Sequence, residues 1–160
     1  MGSHTIQRRR SDVLSRGEES GKHGSNGRRI EEKMMILIEA SIGELLDKLT
    51  ILAIKKERIA DEQKLVHIDK EFSALSEKAG QFLESKEVAE IFEELKKVNS
   101  DLWTIEDDLR EMESRKDFGP EFVEKARSVY FTNDRRFELK NRINLATGSS
   151  IREQKGYKKY

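Results

Sequence analysis

The residues best placed to do chemistry lie in VYFTNDRRFELKNRIN, residues 129–144. At about 100° per residue, Phe122, Ala126, Val129 and Phe137 define one face of a helix through this stretch. Asn133 and Lys140 fall near the centre of that face, with Arg136 and Asn144 at its edges. Other segments repeat the pattern. Lys56 shares the side of Leu45, Leu49 and Leu52. Asn99 and Glu106 stand one heptad apart, between a leucine stripe and Phe92 with Trp103, and Arg110 sits one turn beyond Glu106 beside Trp103. An unpaired ion in a protein interior costs several kcal/mol. Three cations, Lys56, Arg136 and Lys140, face one obvious inward carboxylate, Glu106. Two arrangements satisfy that count. In one, the polar residues form an internal network of ion pairs and amides that sets helix register. In the other, the surplus cations and amides line a pocket for an anionic small molecule, with Trp103 or Tyr130 stacking on it.

Other chemistries find less support. No phosphate-cradling glycine motif occurs, because Gly148 is not followed by Gly-Lys-Ser/Thr. A di-iron bundle needs Glu-x-x-His pairs, and Lys64 stands where His67 would need its glutamate. Ser149 and Ser150 have no base nearby in sequence. Glu44 and Asp47, spaced i, i+3, with Glu90, Glu93 and Glu94, bear comparison with the magnesium sets of helical nucleotide pyrophosphohydrolases. The order of acids differs from theirs, and a solvated acidic face is the expectation. IEDDLREMESR, residues 105–115, is weakly similar to the first helix of chorismate-mutase-like enzymes, whose catalysis is electrostatic. No metal site and no cofactor is expected, and no catalytic residue is assigned.

The elements that must position these residues are helical. SIGE, residues 41–44, is a capping box with Ser41 as N-cap and Glu44 three residues on. A helix follows from Ile42, with a stripe of Ile42, Leu45, Leu49, Leu52 and Ile59, and with Ile51 and Ile54 on the other side. A helix apolar nearly all round is buried nearly all round. The period slips near residues 60–62, where Asp61 can cap a second helix to about Lys78, with Gly80 as C-cap. Residues 86–116 hold a seven-residue repeat of Val88, Ile91, Leu95, Val98, Leu102, Ile105, Leu109 and Met112, a coiled-coil-like seam that packs lengthwise. After the turn DFGP, Pro120 opens a fourth helix that runs to about Ala146, where TGSS ends it. The MMILI run, residues 34–38, reads as extended. Residues 1–33 read as a disordered basic tail, rich in Arg, Ser and Gly without apolar periodicity. Residues 151–160 read as a polar C-terminal tail.

The bulk numbers agree with this picture. One hundred and sixty residues, 39% charged and 35% hydrophobic with a single proline, suit one helix-rich domain. There is no cysteine, which excludes disulfides and thiolate metal sites and is compatible with a reducing, cytoplasmic setting. No apolar run approaches the roughly 20 residues that span a bilayer. Thirty-one basic and 31 acidic residues give zero net charge, which argues against a nucleic-acid binder. Charge is uneven, with ten acids and six bases over 86–116 and five acids and ten bases over 120–160, so the two helices are expected to complement each other.

Three segments in order, SIGELLDKLTILAIKKERI (41–59), NSDLWTIEDDLR (99–110) and VYFTNDRRFELKNRINLATGSS (129–150), resemble an uncharacterised bacterial family of small helical proteins of unknown function. The resemblance covers residues 36–160. It implies a helical fold and a context of surface-polysaccharide or glycosyltransferase genes, with no established reaction. The family pattern prefers proline after the position of Asp61, and this chain has Glu62. The expectation is an all-α antiparallel bundle of about four helices over 34–150. It forms a homodimer through Ile51, Ile54 or the seam of the third helix, and binds a partner protein or an anionic metabolite. The alternative is a helical enzyme acting on a nucleotide or a carboxylated small molecule.

Overall fold

The computed structural model describes residues 36–156. The basic tail expected over 1–33 and the last four residues lie outside the described part. Four helices follow one another: α1 (Ile42–Arg58), α2 (Glu62–Leu83), α3 (Lys86–Arg115) and α4 (Pro120–Ala146). All lie in the unit Leu37–Tyr160. No strand occurs among the described residues. The all-α expectation holds, and so do most helix boundaries. Residues 36–40 are neither helix nor strand.

Local chemistry explains each start. Ser41 is extended (φ −71°, ψ 158°), and its Oγ accepts the N–H of Glu44 at 3.2 Å. The other half of the expected capping box is not formed, because the Glu44 carboxylate turns to Lys140. Asp61 caps α2 by accepting the N–H groups of Gln63 and Lys64 at 3.0 and 3.2 Å. The Lys64 N–H bond, more than any other contact, holds the Asp61 carboxyl below its ordinary value. Ser85 caps α3, and Pro120 sits at the first position of α4, where a missing N–H costs nothing.

One boundary differs. Gly80 does not end α2, which continues to Leu83. Ala79, fully buried, and Phe82 and Leu83, packed on the core, hold the helix through the glycine. Tertiary packing outweighs a propensity penalty of about 1 kcal/mol. Left-handed residues do follow two helices: Lys116 (φ 58°) after α3 and Gly148 (φ 66°) after α4.

The core gathers Leu46 and Leu49 of α1, Ala79 of α2, Val88, Ile91 and Leu95 of α3, and Leu139 and Ile143 of α4. α1 touches all three other helices, which matches its near-continuous apolar surface. It runs antiparallel to α4, since Gly43 meets Asn144 and Asp47 meets Arg136. α3 and α4 are antiparallel too, with Glu94 beside Arg135 and Asp108 beside Lys125. The buried residues of α4 are confined to Leu139, Lys140, Ile143 and Asn144. The distal parts of α3 and α4 therefore pack mainly on each other, around Leu102 and Met112. Ile54 is 1% exposed within a single chain, so it offers no surface for a second copy. Ile51 is half-buried.

Candidate functional site

The close approach of α1 and α4 creates the polar centre. Gly43 makes it possible: a Cβ there would lie 2.6 Å from the carbonyl oxygen of Lys140 and 2.9 Å from Oδ1 of Asn144. Across this contact the Gly43 N–H donates to Asn144 Oδ1 at 2.7 Å. The Ile42 N–H donates to Ser149 Oγ at 3.4 Å, and Ser41 takes the Glu44 N–H. The first-turn donors of α1, which no helix can satisfy by itself, are thus met by Ser41 and by the end of α4. Nδ2 of Asn144 is buried and has no hydrogen-bond partner among the described residues.

One turn into α1, Asp47 is 3% exposed. It accepts from Arg136 Nε at 2.8 Å and from a terminal guanidinium nitrogen at 2.6 Å, a two-pronged pair between α1 and α4. Nδ2 of Asn99 on α3 donates to the same carboxylate at 2.9 Å and to Thr50 Oγ1 at 2.7 Å. The Thr50 hydroxyl donates to the Asp47 carbonyl oxygen at 2.7 Å. The hydrogen bonds to Asp47 raise the Arg136 pKa against the opposing effect of burial. Lys140 donates to Glu44 at 2.5 Å and to Glu153. Burial acts to lower its pKa, but the bonds to Glu153 and Glu44 together outweigh burial and hold the ammonium above its ordinary value.

Glu153 belongs to a strap, residues 151–156, that folds back along α4. Lys155 in the strap donates to Asp134 at 3.0 Å and to the Asn133 carbonyl at 3.3 Å, and stands 4.8 Å from the Phe137 ring centre.

The residues singled out in sequence divide accordingly. Asn99, Arg136, Lys140 and Asn144 converge on the α1–α4 contact. Asn133 lies just beyond it, half-buried, with its amide donating back to the Val129 carbonyl at 3.0 Å. Glu106 is not inward: its side chain is half exposed, and it pairs only weakly with exposed Arg110 at 3.5 Å. It shares the line of Asn99 but stands one heptad further along α3 than the residue that reaches Asp47 and Thr50 of α1. Lys56 is exposed and leaves the α4 cluster altogether, reaching Asp69 on α2 at 2.8 Å and lying over the Phe72 ring. Trp103 is half-buried under the guanidinium of Arg58, and Tyr130 is exposed against Phe131.

The carboxylates that answer the cations are Asp47, Glu44 and Glu153, and the expectation of a solvated acidic face at Glu44 and Asp47 is corrected. A sequence signal existed. Gly43, Asp47, Thr50 and Ile54 form one line on α1 at spacings of four, three and four, and Ile54 marks that line as buried. Glu153 carried no such signal, because it lies outside any periodic segment. No group of three His, Cys, Asp or Glu suited to a metal occurs among the described residues. No described helix is long and apolar enough to cross a membrane.

Fold and site together define a four-helix, all-α domain whose helices are keyed by an internal charge and amide network. The chain belongs to the family of unknown function DUF6165, whose model matches residues 35–160. No curated protein matches it, and neither does any solved structure.

Proposed function

We propose that the chain is a non-catalytic binding module that engages a partner protein. The observation that carries this reading is the pairing of its cations. Arg136 is held by Asp47, Lys140 by Glu44 and Glu153, and Lys56 by Asp69. A site that stabilises an anionic substrate keeps donors and charge in reserve for it. Here carboxylates of the chain already take that charge. On the distal α3–α4 hairpin, Phe118, Val123 and Phe131 expose apolar side chains. Val123 and Phe131 line an open depression together with Pro120, Glu124, Arg127 and Ser128. Apolar surface of this kind suits contact with another protein.

The wider setting belongs to the same proposal: a bacterial, cytoplasmic protein serving surface-polysaccharide assembly. It rests on the resemblance of the three segments. A homodimer through the α3 seam is overturned as one through Ile54 is, since Val88, Ile91, Leu95, Leu102 and Met112 are buried within a single chain, and the dimer falls to Ile51. Of the residues expected to bind a ligand, Asn133 and Lys140 keep a recognition role, on the edge of α4 that meets the strap.

A thermal-shift screen of the full chain against nucleotides, nucleotide-sugars and dicarboxylates tests the reading, with Lys140→Met alongside. A ligand at one hundred times its Kd stabilises by about 2.7 kcal/mol. The expected result is no shift. A rise in Tm that Lys140→Met abolishes would overturn the proposal in favour of a metabolite site or an all-helical enzyme.

A further inference from the structure

The strap points to a more specific form of that binding. Lys140 already has a partner in Glu44 of α1, and Arg136 already has Asp47, so the cluster is neutral before the strap arrives. Glu153 adds a third carboxylate to two cations. It shares one ammonium with Glu44, which two like charges do only against their own repulsion. The strap is gripped through side chains. Among the described residues no backbone–backbone hydrogen bond joins 151–156 to a helix. From Arg152 onward its exposure alternates, with Glu153 and Lys155 turned in and Arg152, Gln154 and Gly156 turned out, while Ile151 at its root is exposed. This is the two-residue period of an extended peptide. Lys140 and Asp134, six residues apart on α4, stand about 9 Å apart along the axis. They read a carboxylate and, two residues later, a cation.

We propose that this edge of α4 is a docking groove for an extended peptide segment of a partner protein with the pattern acid-x-base. The strap is its occupant in cis, which the partner's segment displaces. The inference rests on the binding-module reading and names the surface and the peptide chemistry. A second copy of the chain is a poor donor of the segment. The root of the strap is tied down at Ser149, whose N–H donates to the Asn144 carbonyl at 2.9 Å and whose Oγ lies 3.4 Å from the donating Ile42 N. Four residue steps from there to Glu153 reach at most about 14 Å, which commits the strap to its own α4.

The test uses full-length, nitrogen-15-labelled protein and a synthetic peptide with the sequence of residues 150–156, SIREQKG. In the double variant Glu153→Gln/Lys155→Gln, amide resonances of 151–156 should move to random-coil positions while helical resonances hold. Added peptide should then shift Asn133, Phe137 and Lys140, and bind at least tenfold more tightly than SIRKQEG, in which the two charges are exchanged. Adding Lys140→Met should abolish the difference. The peptide comparison stands even if Lys140→Met fails to fold. Strap resonances unchanged in the double variant, or equal binding of the two peptides, would overturn the groove. A doubled mass in sedimentation that requires Glu153 would reassign the occupant to a second copy and overturn the partner-protein form. Failure here with a silent metabolite screen leaves the binding-module reading intact, whereas a metabolite shift removes both.

Discussion

Asp47 and Arg136 form the pair on which the interior depends most. The carboxylate side chain is 4% exposed and the guanidinium 28%. Arg136→Met strands a buried charge, which costs about 3 kcal/mol, the low end for buried pairs because the guanidinium keeps some water. Asp47→Asn/Arg136→Met removes both charges and should recover a large part of that loss. Urea denaturation of the wild type, the two single variants and the double variant gives the coupling directly; additive losses would show that the pair is not coupled. Gly43 is a second sensitive residue. A methyl group there meets the Lys140 carbonyl at 2.6 Å, and backbone cannot swing aside as a side chain can. Gly43→Ala should therefore destabilise by about 1–3 kcal/mol, although alanine is the better helix former. A neutral or raised Tm would mean that α1 and α4 are less tightly apposed. At this scale the sequence was half legible. Arg136, Lys140, Asn99 and Asn144 stood on apolar faces and are indeed at the α1–α4 contact. Glu106 and Lys56 stood on similar faces and are not, because periodicity ranks a face without saying which neighbour covers it.

Helix ends were the most legible feature, because caps are local chemistry. Ser41, Asp61 and Pro120 each start the helix that their side chains or missing N–H favour. Gly80 was misleading. Its type suggests a stop, but Ala79, Phe82 and Leu83 bury on both sides of it and keep α2 going. A Cβ at Gly80 would meet nothing within 4 Å, and the residue is helical. Gly80→Ala should therefore stabilise the protein by about 0.5–1 kcal/mol, through lost freedom of the unfolded chain and better helix propensity. A higher urea midpoint with an unchanged slope would register it; a lower midpoint would mean that the glycine has a structural role. α4 shows the opposite limit. Its buried stretch is short and mixed, with Leu139 and Ile143 flanked by Lys140 and Asn144, so its pattern signalled a helix but not how little of it enters the core.

For the whole molecule, charge pairing makes the stability that Lys140 contributes vulnerable to alkaline pH. Its folded pKa is raised above the ordinary value of 10.5. The stabilisation it brings is fully present below the unfolded pKa and is lost as pH rises through the folded one. The stability gap between wild type and Lys140→Met should hold from pH 7 to 9 and shrink above 10.5. Paired urea titrations check this, and a gap that persists unchanged at high pH would mean packing of the lysine stem, not its charge, is what matters. The complementarity expected between the acidic third helix and the basic fourth is present at Glu94 with Arg135 and Arg142, and at Asp108 with Lys125. The pairing that organises the interior lies elsewhere, between α4, α1 and the strap. By itself the sequence determined that the chain is helical, where each helix begins, that α1 is heavily buried, and that α4 brings cations to its apolar side. These follow from capping and from the 3.6-residue period, which act over a few residues. Only the tertiary structure decided which carboxylates receive those cations. Asp47 lies 89 residues from Arg136, and Glu44 lies 96 from Lys140. Glu153 arrives on a strap with no period of its own. Such pairing depends on how closely helices approach, here set by one glycine, and no local pattern carries that information.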